Sequence, residues 1–187
     1  MDEPVTGWWR RNRIALVALA VIVPVTAATL VGVAWAQFWV WEPTIAQEPG
    51  EDGTTDLLDT TWGPVRAKDL TGADGLTAPQ GTRVIGIAIP VDPHGEAPSC
   101  SSPTLVEQST GRRWDEMSEE LGLDYYSSEE PRFCVLPEED EDGDPLPLAP
   151  YELVVPFIVP ADAEGPFWVD IKPAGSTPTF LRFSAVP

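Results

Sequence analysis

Thr82-Arg-Val-Ile-Gly-Ile-Ala-Ile-Pro-Val91 and Tyr151-Glu-Leu-Val-Val-Pro-Phe-Ile-Val159 are the stretches whose reading decides the fold. In the first, Ile85, Ile87 and Ile89 alternate with Val84, Gly86 and Ala88. Successive strand side chains point to opposite faces, so this spacing puts the three isoleucines on one face. The β-branched content and the preceding turn Ala78-Pro-Gln-Gly81 agree with a strand. The second stretch repeats the pattern at Tyr151, Leu153, Val155, Phe157 and Val159. Pro156 has no N–H to donate, which predicts an edge strand or a bulge there.

Working outward, Thr104–Gln108 and Arg112–Asp115 flank Ser109-Thr110-Gly111 and predict a hairpin. Arg132–Leu136, Phe167–Ile171 and Thr179–Ala185 read as further strands, the last two joined by the turn Pro173-Ala-Gly-Ser176. Only the short Glu116–Leu121 has a helical look. Many short strands with turns between them and no alternation with helices predict a mainly β protein, an antiparallel β-sandwich over residues 62–187.

N-terminal to this, residues 14–41 carry no charged side chain. A bilayer core needs about 20 apolar residues in a helix, which this segment supplies; Pro24, Thr26 and Thr29 are tolerated in such helices. Trp8 and Trp9 precede it, and Trp35, Phe38, Trp39 and Trp41 lie toward its other end, as interface aromatics do. Arg10, Arg11 and Arg13 stand on the N-terminal side only. The positive-inside rule then predicts a cytoplasmic tail over residues 1–13 and a cell-surface location for the rest, with the protein integral to the cell membrane. The competing reading is an export signal cut after Ala34-Trp35-Ala36, against which the apolar run is long. Residues 42–61, with Glu48-Pro-Gly-Glu-Asp-Gly53, read as an acidic flexible stalk.

Charge excludes one class of partner. Eight basic and 28 acidic side chains follow the apolar segment, a net of −20. Nucleic acid demands a basic footprint, so none is expected as a ligand.

The order of features from Trp62 to Pro187 resembles the immunoglobulin-like extracytoplasmic domains of Gram-positive bacteria, actinobacteria in particular. The residues that carry the likeness are Ala78-Pro-Gln-Gly-Thr82 and the strand after it, Cys100, Leu105, Gly111-Arg-Arg-Trp114, Cys134, Phe157-Ile-Val-Pro160 and Leu181-Arg-Phe183. The resemblance implies an immunoglobulin-like sandwich held behind a membrane helix. It implies no activity, since fold alone does not fix function.

Cys100 and Cys134 are the two cysteines. Outside the cell a disulfide is expected between them; the alternative is two unrelated thiols. Glu138-Glu-Asp-Glu-Asp-Gly-Asp144 concentrates carboxylates. Glu138, Asp140, Asp142 and Asp144 are candidate Ca²⁺ ligands, but Pro145 interrupts the run and Ala149 stands where a bidentate ligand belongs, so a solvated loop is the default. No cofactor is otherwise expected. His94 is the single histidine, no Gly-x-Ser-x-Gly elbow exists, and no phosphate-cradling glycine loop follows a strand. Trp114, Tyr125, Tyr126 and Trp168 are candidates for a partner-binding patch; Tyr125 and Tyr126, in a polar loop, are the better surface candidates, and ordinary packing is the competing reading for most of the four. The sequence thus predicts a non-enzymatic protein-interaction module, with a ligand- or Ca²⁺-sensing module built on residues 138–144 as the alternative.

Overall fold

Pairing of the two deciding stretches organises the domain. In this computed structural model every residue is described except 1–5, 42, 74, 96, 125, 127–129, 136–138 and 140–147. The chain divides into two units, Met1–Glu42 and Pro43–Pro187.

The first unit contains α1 (Thr6–Arg11) and α2 (Arg13–Trp41). Asn12 N donates to Trp8 O at 3.0 Å, and Leu16 N donates to Asn12 O at 2.9 Å, so the i→i−4 pattern runs through the break between them. The Thr29 hydroxyl donates to Thr26 O at 2.9 Å, satisfying that polar group within the helix. Arg13–Ala36 is long and apolar enough to cross a membrane.

In the second unit β5 (Thr82–Pro93) lies antiparallel to β8 (Tyr151–Pro160) from Thr82↔Pro160 to Val91↔Tyr151. This register sends Ile85, Ile87, Ile89 and Val91 inward with Leu153, Val155, Phe157 and Val159, all at most 1 % exposed. On its other side β5 pairs with β3 (Thr60–Trp62) and β4 (Arg66–Asp69), and β3 also pairs with β2 (Thr55–Asp56). The facing sheet has the order β1-β10-β9-β6-β7, from β1 (Ile45–Gln47), β6 (Thr104–Glu107), β7 (Arg113–Trp114), β9 (Phe167–Ile171) and β10 (Thr179–Ala185). Leu105, Phe167, Val169, Ile171, Leu181 and Phe183 point inward from it and join Trp62 in one buried cluster. The fold is therefore mainly β, two sheets closing on a shared core, with one apolar N-terminal helix.

Four expectations need correction. Residues 45–62, read as stalk and its boundary, hold three strands. A strand of two or three residues is too short to show a side-chain period. Its backbone nevertheless pairs: Ile45 N donates to Pro178 O at 2.9 Å, and Asp52 accepts from Thr54 to close the turn between β1 and β2. The sandwich is also not wholly antiparallel, because β1 runs parallel to β10. Among the described residues, 132–135 form no strand; Arg132 acts through its side chain instead. The helical reading of Glu116–Leu121 shrinks to a 3-10 turn at Glu119–Leu121, stopped by Gly122 in the left-handed region at φ 72°. The 104–115 hairpin forms as expected, with Leu105↔Trp114 and Val106↔Arg113 paired.

β6 carries one buried acid. Glu107 shares the inward side with Leu105 and is 1 % exposed. Its carboxylate accepts from Arg112 Nε at 2.9 Å, from the Thr110 hydroxyl and from Glu164 N at 2.7 Å. Arg112 above all, then Thr110 and the Glu164 N–H, hold its pKa down to about 2.

Candidate interaction surface

The outer edge of β8 is where the fold presents its loop. Among the described strands β8 pairs only with β5, the edge position that Pro156 predicts. At Val154 and Pro156 its outward backbone groups are met by the segment between β7 and β8. Val154 N donates to Pro131 O at 2.9 Å, and Met117 N donates to Pro156 O at 3.2 Å. Arg132 Nη1 donates to Val154 O at 2.6 Å and also to Glu130 O. Arg132 Nε donates to Ser118 Oγ at 2.9 Å. Arg132 is 2 % and Ser118 0 % exposed, so this is an interior clasp. A buried guanidinium is tolerable only when its donors find partners, and here backbone and hydroxyl acceptors supply them.

The disulfide closes the same segment. Cys100 and Cys134 are bonded, with Cα atoms 5.1 Å apart, and Cys100 bridges to Pro173 next to β9. Between clasp and disulfide sits Phe133, whose ring meets that of Tyr126 edge-to-face at 6.0 Å and 76°. Asp124 Oδ1 accepts from Tyr126 N at 3.0 Å, fixing the local turn. Tyr126 is 77 % exposed, the most exposed large apolar side chain among the described residues of this unit. The second tyrosine, Tyr125, lies outside the described residues, as do Glu138, Asp140, Asp142 and Asp144.

The other aromatic candidates pack, as the sequence suggests. Trp114 meets Phe167 edge-to-face at 6.3 Å. Trp168 is covered by Arg182, whose Cζ stands 4.5 Å from its ring and 5.0 Å from that of Phe180. Arg182 also donates from Nε and Nη2 to the two oxygens of Asp170, each at 2.7 Å.

One polar constellation escapes sequence reasoning because its members are 33 positions apart. His94 Nε2 lies 3.0 Å from Thr61 Oγ1, and Thr61 donates to Asp56 Oδ1 at 2.5 Å. Asp92 Oδ1 is 3.9 Å from His94 Nδ1. The parts resemble a hydroxyl–imidazole–carboxylate relay, but the single Thr61 proton goes to Asp56 and His94 is 55 % exposed. The chain of bonds ties the β2–β3 turn to the end of β5, and general-base activation of Thr61 has no support. Among the described residues no group of three His, Cys, Asp or Glu side chains is placed to hold a metal.

Fold and surface together define a β-sandwich domain that follows an apolar helix and carries an exposed tyrosine on a stapled loop. Comparison with protein-family models, with curated proteins and with solved structures finds no match.

Proposed function

We propose that this protein is a membrane-tethered, cell-surface module that recognises a protein partner through the Tyr126 loop and catalyses no reaction. The observation that carries the reading is the exposed Tyr126 ring, backed by Phe133 between the Arg132 clasp and the Cys100–Cys134 bond. A pre-ordered aromatic loses little entropy on binding, and loops on rigid scaffolds are where binding residues concentrate.

Tethering is supported by the apolar span Arg13–Ala36, and orientation by Arg10, Arg11 and Arg13 at its N-terminal side. With the N-terminus in the cytoplasm, the domain and its disulfide stand in an oxidising compartment, where such bonds persist. Strand order favours the immunoglobulin-like form of the sandwich. An immunoglobulin domain sets strands C, F and G in one sheet and A, B and E in the other. Here β6-β9-β10 occupy the first set and β3-β5-β8 the second. The disulfide departs from that pattern, since it joins two loop segments and not the two sheets.

Cross-linking on intact cells carrying a tagged copy tests the reading. A reproducible protein partner is expected, and Tyr126→Ala should abolish its capture while the domain stays folded. Capture that is indifferent to changes at Tyr126, with Tyr125→Ala added, would remove this surface from the account.

A further inference from the structure

The strand edges of this sandwich are treated unequally. Beside β8, Pro131 and Arg132 take up the outward groups of Val154. Beside β2, Gln47 Nε2 donates to Asp56 O at 3.0 Å. β4 ends its side of the sheet, and its pairing with β5 leaves its other side open. Leu70 N donates to Val84 O at 2.8 Å, which fixes the alternation: Arg66 and Lys68 turn their backbone groups toward β5, while Ala67 and Asp69 turn theirs away. Among the described residues nothing meets the outward N–H and carbonyl groups of Ala67 and Asp69.

This open edge is held in shape. Leu70 lies over Gly86, where a Cβ would come within 2.6 Å of its Cδ1. Thr71 Oγ1 accepts from Val84 N at 3.1 Å, and Asp69 Oδ1 accepts from Thr71 N at 2.8 Å. The charge of the edge also differs from that of the domain. Arg66 and Lys68 stand opposite Ala88 and Gly86, so their side chains share the outer face, and both are exposed. Arg66 pairs with Glu152, and Arg83 with Asp69 at 2.8 Å, whereas Lys68 has no ion-pair partner among the described residues. Three cations against two carboxylates leave the edge positive in a region of net −20.

We propose that β4 is a docking edge for an extended acidic segment of a protein partner, which adds one strand beyond it. The backbone of that segment bonds to Ala67 and Asp69, and its carboxylates, at alternate positions, lie over Arg66 and Lys68. In such pairing main-chain bonds supply affinity and alternate side chains supply the choice of partner. A second copy of β4 is a poorer occupant. Paired antiparallel about Ala67 or Lys68, it sets cation against cation, and like charges directly opposite destabilise a ladder. The same two side chains thus bar self-pairing and admit an acidic strand, so that specificity comes from repulsion as well as attraction.

The test uses the full chain in detergent micelles and three fluorescein-labelled peptides, with binding read by fluorescence polarisation. One peptide alternates glutamate with valine, one alternates lysine with valine, and the third is the glutamate peptide N-methylated at every residue. The glutamate peptide should bind saturably and the other two should not. Lys68→Glu should weaken its binding by about five-fold, the scale of one cross-strand charge pair. Lys172→Glu makes the same change in net charge just after β9 and should leave binding unchanged. Ala67→Pro removes an outward N–H while β4 keeps its bonds to β5, and should abolish binding in a chain that still melts cooperatively. Where that variant fails to fold, Lys68→Glu and the methylated peptide decide. Equal losses at Lys68 and Lys172 would mean diffuse charge and overturn the site. So would equal binding of the methylated peptide, no saturable binding up to about 1 mM, or cross-linking between the β4 strands of two copies. Loss of binding in Tyr126→Ala would move the peptide to that loop and likewise overturn the edge.

Discussion

Arg132 donates from Nη1 to the carbonyl oxygen of Val154 at 2.6 Å, placing a side chain where a neighbouring strand would otherwise pair with β8. Exposed strand edges invite pairing with other chains, and this clasp covers the outward groups at position 154 together with Pro131. Arg132→Met should leave Val154 O and the buried Ser118 hydroxyl without their donor. A loss of about 2–4 kcal/mol is expected. Thermal unfolding of the full chain in detergent, followed by near-ultraviolet circular dichroism, measures it. A midpoint equal to that of the wild type would show that the clasp contributes nothing net.

The disulfide closes a loop with a sequence separation of 34. Constraining the unfolded chain in this way contributes about 3–4 kcal/mol. Reduction, or the Cys100→Ser/Cys134→Ser pair, should therefore lower stability by that amount. It should also weaken partner capture through Tyr126, because Phe133 precedes Cys134 directly. Unchanged capture in the double variant would mean that the bond stabilises the fold without shaping the loop.

Acid sensitivity follows from Glu107. Its folded pKa is about 2, against an ordinary value of 4.5. A depressed carboxylate stabilises the fold fully above its unfolded value and loses that contribution as pH falls through the folded one. Stability should thus decline between about pH 4.5 and pH 2. Glu107→Gln should be less stable at neutral pH and show a shallower decline across that window. Parallel denaturant titrations at neutral and acid pH decide it, and an identical slope in the variant would assign the decline to other acids. Asp69, held to about 2 by Thr71 and then Arg83, contributes to the same window and has the same sign.

Arg182 spans two rings and pairs with Asp170, which is 3 % exposed. Lysine keeps the charge but has neither the planar fork nor the stacking face. Arg182→Lys should cost about 1–2 kcal/mol, and Arg182→Ala more, since it takes both short hydrogen bonds from the buried Asp170 and leaves it Arg113 Nη2 at 3.7 Å. Urea unfolding midpoints rank the two, and the reverse order would contradict the stacked, bidentate geometry.

Gly63 sits at φ +90°, and a Cβ there would approach Gly53 O to 2.6 Å. Both the backbone conformation and the contact with a carbonyl forbid a side chain. Gly63→Ala should cost about 2 kcal/mol or more. Gly111→Ala, at φ +73° but with open space around it, should cost less. Comparing their melting points separates clash from strain.

What the sequence by itself determined is whatever repeats along the chain. The isoleucines of β5 and the alternating apolar residues of β8 declare buried faces, because a strand of ten residues prints its two-residue period many times over. The uncharged run up to Trp41 declares an apolar helix for the same reason. Tertiary structure alone decided what depends on partners distant in the chain. β1 and β4 are only three and four residues long, so their pairing with β10 and β5 is what reveals them as strands. Arg132 looks like part of a strand until its guanidinium is seen to meet Val154 and Ser118. Tyr126 was legible as exposed, but the Phe133 ring behind it was not, since a contact between loop residues leaves no periodic trace.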